Sequence, residues 1–386
     1  MIISKMQIQV SLVKCKDYEQ ARVDVAIAEA LGLVGGIRQY VRPGDRALLK
    51  INLLAGAAPE KAVTTHPAVV RAIIGQVRAA GAIPLVGDCS GHEGPPNPGR
   101  YYSACRQSGI EQVCEEEGVE LVHLSAESVE VENPQGRVFK HFTLAKEAVD
   151  ADVLINLPKL KTHGLTLFTG GVKNNFGCLP GLLKAQMHLR AQGVEDFSQS
   201  LVDLLLAVQP TLTVMDGVVG MDGDGPRNGR PRQIGAILAS ADPVALDAVA
   251  CEMVGIKPMM VPTTRLAHEQ GVGVGDLAQI EVLGEPLEAM RVADFRLSSG
   301  SASLFRATGL LRFLQGMLLA KPVLVTERCK GCWVCVEHCP AGALSKDGRL
   351  PAFDYGKCIR CYCCQELCPN DAIELRRPLL ARMLGG

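Results

Sequence analysis

Two stretches near the end of the 386-residue chain repeat one pattern: Cys329-x2-Cys332-x2-Cys335-x3-Cys339-Pro340 and Cys358-x2-Cys361-x2-Cys364-x3-Cys368-Pro369. Eight thiolates at this spacing are what two cubane 4Fe-4S clusters require. Three cysteines two residues apart let the backbone curl around one corner of a cluster, and the fourth, followed by proline, serves the other cluster. The expected ligands are therefore Cys329, Cys332, Cys335 and Cys368 for the first cluster, and Cys339, Cys358, Cys361 and Cys364 for the second. Zinc sites use two cysteine pairs instead of a duplicated four-cysteine run. A ninth cysteine, Cys363, stands between two ligands, and spacing selects Cys364 of that pair.

Together the runs resemble the bacterial two-cluster ferredoxin over residues 322–377, which implies a small α+β electron-transfer domain. The remainder divides into an α/β body at 1–300, a helical linker at 301–321 and a tail at 378–386. A chain of this length suits two or three domains.

Forty basic residues against 41 acidic give a net charge of −1, without the basic excess of a nucleic-acid binder. Aromatic residues are 4% with one tryptophan, so no base-stacking platform is expected either. Cys15, Cys89, Cys105, Cys114, Cys178 and Cys251 are scattered singly, which predicts a reducing, cytoplasmic and oxygen-poor setting instead of disulfides. The residues after Met1 lack the apolar run and cleavage site of a signal peptide. The most apolar helix candidate, 304–319, is short and carries Arg306 and Arg312, so no transmembrane segment is expected.

Before the cysteine runs, strands alternate with helices. Strands are predicted at 7–13, 46–52, 83–86, 119–123, 152–157, 211–215 and 234–239, and helices at 17–33, 65–80, 101–117, 145–150, 195–208 and 242–254. A hairpin is predicted over 127–142, turning at Asn133-Pro134-Gln135-Gly136. Such alternation means an α/β fold with a mostly parallel sheet, in one lobe or two, and ligands beyond the carboxyl ends of its strands. Thr65-His66-Pro67 and Asp242-Pro243 open helices with a capping residue and a first-turn proline. Residues 157–181 and 216–232 read as long glycine-rich loops, and 284–321 as a segment packed on the body or linking it onward.

The richest chemistry follows the strand at 152–157. Pro158-Lys159-Leu160-Lys161-Thr162-His163-Gly164 and Gly170-Gly171-Val172-Lys173-Asn174 combine three lysines, a histidine and close-approach glycines. Such a stretch suits an anion: a phosphate, a carboxylate or a nucleotide-like cofactor tail. It is neither a Walker loop nor a dinucleotide fingerprint. Lys159, Lys161, Gly170, Gly171 and Asn174 are candidate ligand contacts, and Lys173 and His163 candidate catalytic groups. Asp88 and His92 lie after the strand at 83–86, near the same sheet edge. Asp222, in the run Met221-Asp222-Gly223-Asp224-Gly225, is a candidate for an additional metal. Cys178 reads as a small buried residue or, in so basic a setting, a reactive thiolate.

Lys159-x-Lys161-x-His163, Gly170-Gly171-Val172-Lys173-Asn174, Pro180-Gly181, Thr64-Thr65-His66-Pro67, Gly87-Asp88 and Asp242-Pro243-Val244-Ala245-Leu246-Asp247 resemble the domain-of-unknown-function family 362 over residues 45–260. Members of that family often carry a ferredoxin module, but the family name settles no activity. A second similarity is to nickel-dependent lactate racemase, through His163, Gly170-Gly171-Val172-Lys173, Pro180-Gly181 and His188. The segment between Lys173 and Pro180 is longer than in that family, and His188 is nearer to Pro180. The resemblance therefore implies a shared fold and cofactor loop more than nickel chemistry.

The leading expectation is an iron–sulfur redox protein that relays electrons between a partner protein and a small anionic ligand in the body. The alternatives are an electron carrier or metallocofactor maturation factor without catalysis, and a metal-cofactor isomerase or racemase.

Overall fold

The computed structural model describes residues 7–90, 98–300 and 320–378. His92 and the helix expected within 302–319 lie outside the described residues.

The body is built from β1 (Ile8–Lys14), α1 (Gln20–Leu33), β2 (Arg46–Lys50), α2 (Pro67–Ala79), β3 (Ile83–Asp88), α3 (Pro98–Gln107), α4 (Ile110–Glu117) and β4 (Glu120–His123). A separate hairpin of β5 (Ser128–Glu132) and β6 (His141–Ala145) leads through α5 (Lys146–Asp150) to β7 (Val153–Asn156), β8 (Lys159–His163) and β9 (Leu167–Thr169). Then come α6 (Gly171–Asn174), α7 (Leu183–Arg190), α8 (Val194–Val208), β10 (Leu212–Asp222), β11 (Arg230–Ser240), α9 (Pro243–Met253), α10 (Pro262–Glu269) and β12 (Ile280–Gly284).

One ten-stranded sheet runs through the body in the order β12-β1-β11-β10-β7-β2-β3-β4, with β8 and β9 branching from β10. The body is therefore built on one sheet, not two. Pairing is parallel from β10 through β7, β2 and β3 to β4, and β11 is antiparallel to both its neighbours. The central strands are apolar on both faces because both are covered. In β2, Ala47 and Leu49 join the core under α1 and α2, whereas Leu48 joins the opposite one with Leu85, Leu154 and Cys178. In β11, Ile237 and Ala239 face α1 and Ala236 and Leu238 face α9.

Several boundaries differ from the sequence reading. The expected helix at 101–117 breaks at Gly109, which lies at φ +73°. The supposed loop at 216–232 is mostly strand: β10 and β11 are eleven residues each and pair almost throughout. The stretch after Leu157 likewise contains β8, β9 and α6. Alternation is hard to see in both because glycines and charges occupy strand positions that face other backbone. The cap of α2 is His66, whose ring accepts from the Ala68 amide at 3.2 Å. Thr65 instead accepts from the Asn52 amide and donates to the Leu157 carbonyl. Asp242 caps α9 through the Val244 and Ala245 amides, as expected.

The C-terminal domain comprises β13 (Lys321–Leu324), α11 (Val334–Glu337), β14 (Leu344–Asp347), β15 (Leu350–Phe353), α12 (Cys363–Glu366) and β16 (Ile373–Arg376). β13 pairs antiparallel with β16, and β14 with β15. The internal duplication extends to the backbone. Trp333 and Tyr362, each just after the second cysteine of its run, are both left-handed at φ +64°. Gly331 and Arg360 before that cysteine, and Gly342 and Asp371 after the proline, also share positive φ.

Among the described residues, the side-chain contacts of the domain with the body come mainly from its second half. The Tyr362 ring joins a core of Leu165, Phe197, Leu201 and Leu375, and its hydroxyl donates to the Ala320 carbonyl at 3.1 Å. Gln365 donates to the Asp224 carbonyl, Asn228 to the Ile373 carbonyl, and Arg377 to the Ser299 carbonyl.

Candidate functional site

The carboxyl ends of β2, β3 and β8 meet α6, α7 and the helix α12 around one cavity of about 90 Å³. Its body wall carries Lys50, Lys161, Lys173 and Lys184 together with Asn52, Asp88, Asn174 and His188. Its other wall is the cysteine-rich domain: His338, Cys363, Glu366 and Leu367. Four lysines thus face two carboxylates.

The lysines are held differently. Lys50 is paired with Asp88 at 2.8 Å, and Asp88 also accepts from the Leu53 and Cys89 amides. Lys184 donates to the Cys89 and Ser90 carbonyls. Lys161 is fully buried and donates to Asn52 Oδ1 and the Val63 carbonyl, both at 2.7 Å, without a carboxylate. Lys173 is 9% exposed and has no hydrogen bond or ion pair among the described residues; its ammonium lies 5.3 Å from the Phe176 ring centre. Burial drives Lys161 well below the ordinary lysine range, with Lys173 and Lys159 adding to the shift. Lys173 is also lowered by burial, with Glu366 opposing. Buried ammonium groups short of counter-charge are what an incoming anion stabilises.

His163 and Glu366 join the two domains beside this cavity. His163 Nδ1 accepts from the Leu165 and Thr166 amides at 3.0 and 3.1 Å, so the neutral ring carries its proton on Nε2. That nitrogen lies 3.0 Å from Glu366 Oε1, but off the direction of a good hydrogen bond, so the contact is an ion-pair distance more than an aligned bond. Burial lowers His163 to about 4 and His188 to about 3. Burial alone would raise Glu366, but His163, Lys173 and His188 outweigh it and bring the carboxyl down to about 2. His188 stacks on Phe197 at 4.0 Å.

Other residues singled out in the sequence are placed elsewhere. Lys159 is fully buried in an ion pair with Asp216 at 2.8 Å and also donates to the Tyr18 hydroxyl; it does not line the cavity. Asp222 holds Arg230 and the Arg296 amide, and Asp224 holds the Ser299 amide, so the acidic run does not converge on a common centre. Gly170 and Gly171 approach a protein carboxylate, not a cavity ligand. The Gly171 and Val172 amides donate to Asp247 on α9, and a Cβ at Gly170 would collide with that carboxylate. Asn174 lines the cavity but ties strands together, donating to Asn156 Oδ1 and accepting from Asn52. Cys178 is a fully buried core residue whose thiol burial pushes up to about 12. Lys50, Lys184, His338 and Glu366 escaped the sequence reading. Lys50 had one signal: a lysine ending an apolar strand at the edge where such sheets bind ligands.

Cys329, Cys332, Cys335 and Cys368 line one hollow of the cysteine-rich domain. The Cys335 thiol is raised by burial to about 11, with Cys368, Cys332 and Cys329 next in effect. Cys358 is raised by burial, and both Cys361 and Cys339 add to it. Sulfurs of the two halves repeat one contact: Cys339 Sγ accepts from the Ala343 amide and Cys368 Sγ from the Ala372 amide, both at 3.2 Å. Among the described residues no three His, Cys, Asp or Glu side chains close on a single ion. Cys332 is exposed, Cys335, Cys363, Cys364 and Cys368 are buried, and Cys329, Cys339, Cys358 and Cys361 lie between.

An α/β sheet with a basic cavity at its carboxyl edge, closed by a duplicated cysteine domain, defines the class. The chain belongs to the family described as Domain of unknown function (DUF362), which matches residues 47–252; residues 321–369 match the 4Fe-4S dicluster domain. It is thus an iron–sulfur protein. A thylakoid-associated protein of Synechocystis sp. is 36% identical over 270 residues, 70% of this chain and 81% of the relative. Among solved structures, the lactate racemase apoprotein of Thermoanaerobacterium thermosaccharolyticum aligns with 13% identity and a TM-score of 0.40. That alignment spans 64% of this chain and 57% of the racemase. No helix among the described residues is long and apolar enough to cross a membrane.

Proposed function

We propose that this protein is an oxidoreductase whose C-terminal domain passes electrons to or from a small anion held against the lysines of the body. One observation carries the reading: the turn Cys363–Leu367 that bears the second cysteine run is itself a wall of the lysine-lined cavity. Cys329, Cys332, Cys335 and Cys368 would hold one 4Fe-4S cluster, which the hollow they share supports. Cys339, Cys358, Cys361 and Cys364 would hold the other. When bound, the clusters supply one-electron transfer at potentials set by their surroundings. The first set includes the exposed Cys332, the side we assign to a redox partner protein, and Cys363, between two ligands of the second set, lines the cavity.

The chain's own residues then have distinct tasks. Lys173 binds the anion, since it is the cavity lysine with no protein partner among the described residues. Lys161 adds charge from beneath. Glu366 and His163 fix the inner turn over the site. Cys363 hydrogen-bonds the Cys361 sulfur, an outer contact of the kind that tunes a cluster. The lysine-lined cavity, walled by both domains, speaks against a purely docking protein. For a metal-cofactor isomerase, His163 would need a free ring nitrogen, but its Nδ1 takes two amides and its Nε2 carries the proton toward Glu366. The six body cysteines are scattered singly along the sequence and all are buried, which supports a reducing compartment such as the cytoplasm.

The test is anaerobic purification, metal analysis and a reductive titration with and without small carboxylates. About eight irons per chain, reversible reduction, and an anion-dependent shift in midpoint that Lys173→Gln removes are expected. Absence of reversible reduction by a strong reductant would sink the proposal.

A further inference from the structure

The two walls of the cavity offer opposite chemistry. The body wall presents ammonium donors, with Lys173 unpaired among the described residues. The cysteine-domain wall presents acceptors. His338 Nδ1 lies 3.0 Å from the Val334 carbonyl, which can only accept, so in the neutral ring the proton sits on Nδ1 and the lone pair on Nε2. His338 is 8% exposed, lines the cavity, and its Nε2 has no partner among the described residues. Beside it on the same wall is the Glu366 carboxylate, which when ionised only accepts. A buried acceptor without a donor costs free energy, and a plain anion cannot relieve it because it brings only further acceptors.

We propose that the natural ligand is a small anion that also carries a hydrogen-bond donor, its anionic end on Lys173 and its hydroxyl or amino group on His338 Nε2 and Glu366. This rests on the anion site proposed above and adds its polarity. The volume of about 90 Å³ limits the ligand to about half a dozen water-sized groups. His338 is here a specificity-determining residue. A long-chain acid does not meet both demands in that space.

The experiment compares acetate, glycolate and glycine as probes of the full-length, cluster-loaded protein, by anaerobic calorimetry at fixed ionic strength. Acetate supplies the anion alone; glycolate adds a hydroxyl and glycine an ammonium. Glycolate or glycine is expected to bind about tenfold more tightly than acetate, the effect of satisfying one buried acceptor. Which of the two wins identifies the donor. In His338→Leu the preference should disappear. Iron content and the visible spectrum check that the neighbouring Cys339 still holds its cluster; if they fall, the comparison in the unaltered protein still decides. Equal binding of all three probes overturns the polarity but leaves the anion site standing. A preference that survives in His338→Leu overturns the role of His338. If none of the three binds, the anion site itself falls, and this inference with it.

Discussion

The two cysteine runs share a pattern, a backbone conformation and even an amide-to-sulfur contact, yet they live in different surroundings. In the first, the residue after the second cysteine is Trp333, part-exposed, its ring 5.2 Å from the Lys346 ammonium. In the second it is Tyr362, 1% exposed and packed into the body. The duplication supplies two equivalent cradles, and side chains outside the cysteines decide which one faces solvent. In the proposed electron relay, an outer and an inner end would come from that asymmetry, not from the cysteines.

The largest difference is expected on losing a ligand. Cys332→Ser and Cys364→Ser should each roughly halve an iron content of about eight. Only Cys364→Ser should also loosen the interface, seen as faster proteolysis between body and C-terminal domain. Similar proteolysis of both variants would erase the distinction. Next come the two aromatic counterparts. Tyr362→Ala should cost about 3 kcal/mol or more, the range for emptying a buried aromatic site. Trp333→Ala should stay within about 1 kcal/mol, the scale of an exposed cation–π contact. Anaerobic urea midpoints measure both.

Acid should distinguish the inner side further. Burial lowers His163 to about 4 and His188 to about 3, from an ordinary 6.5. The unfolded chain therefore binds more protons between those values. Stability contributed by these two rings is present above pH 6.5 and is lost as pH falls toward 4. Urea midpoints should fall over that window, and less in His188→Phe, which keeps the stacked ring without the titrating nitrogens. An unchanged slope would assign the acid sensitivity elsewhere. The smallest effect concerns Cys363. Cys363→Ala removes a donor to the Cys361 sulfur and should lower the midpoint of one cluster only, leaving iron content unaltered.

The parts legible in the sequence are those fixed by local chemistry. Cysteine spacing is set by one small inorganic core, so it reads directly. The alternation of strands and helices reads because burial on both faces leaves apolar runs. The cavity reads poorly because its members come from β2, β3, β8, α6, α7 and α12, and nothing local links Lys50 to Glu366. Lys159 and Lys161 look alike in sequence and alternate on one strand. Only folding shows that one has Asp216 as counter-ion and the other has none. Gly170-Gly171 was read as a cradle for a ligand; it is a cradle, but for the Asp247 carboxylate. The glycine chemistry was legible and the identity of the partner was not.

Gly164 closes the account of how the inner run is placed. A Cβ there would meet Leu375 at 3.1 Å and the Tyr362 ring at 3.2 Å, closer than side chains ordinarily pack. Both neighbours belong to the cysteine-rich domain, and both are pinned in the core. The seating depth of that domain is thus set by a hydrogen atom. Any larger residue would act as a spacer, lifting the inner turn by tenths of an ångström while leaving every cysteine intact. Distance becomes an adjustable quantity at one position outside the cavity lining, and in the proposed relay Gly164→Ala would change the rate at which electrons cross without altering any cysteine.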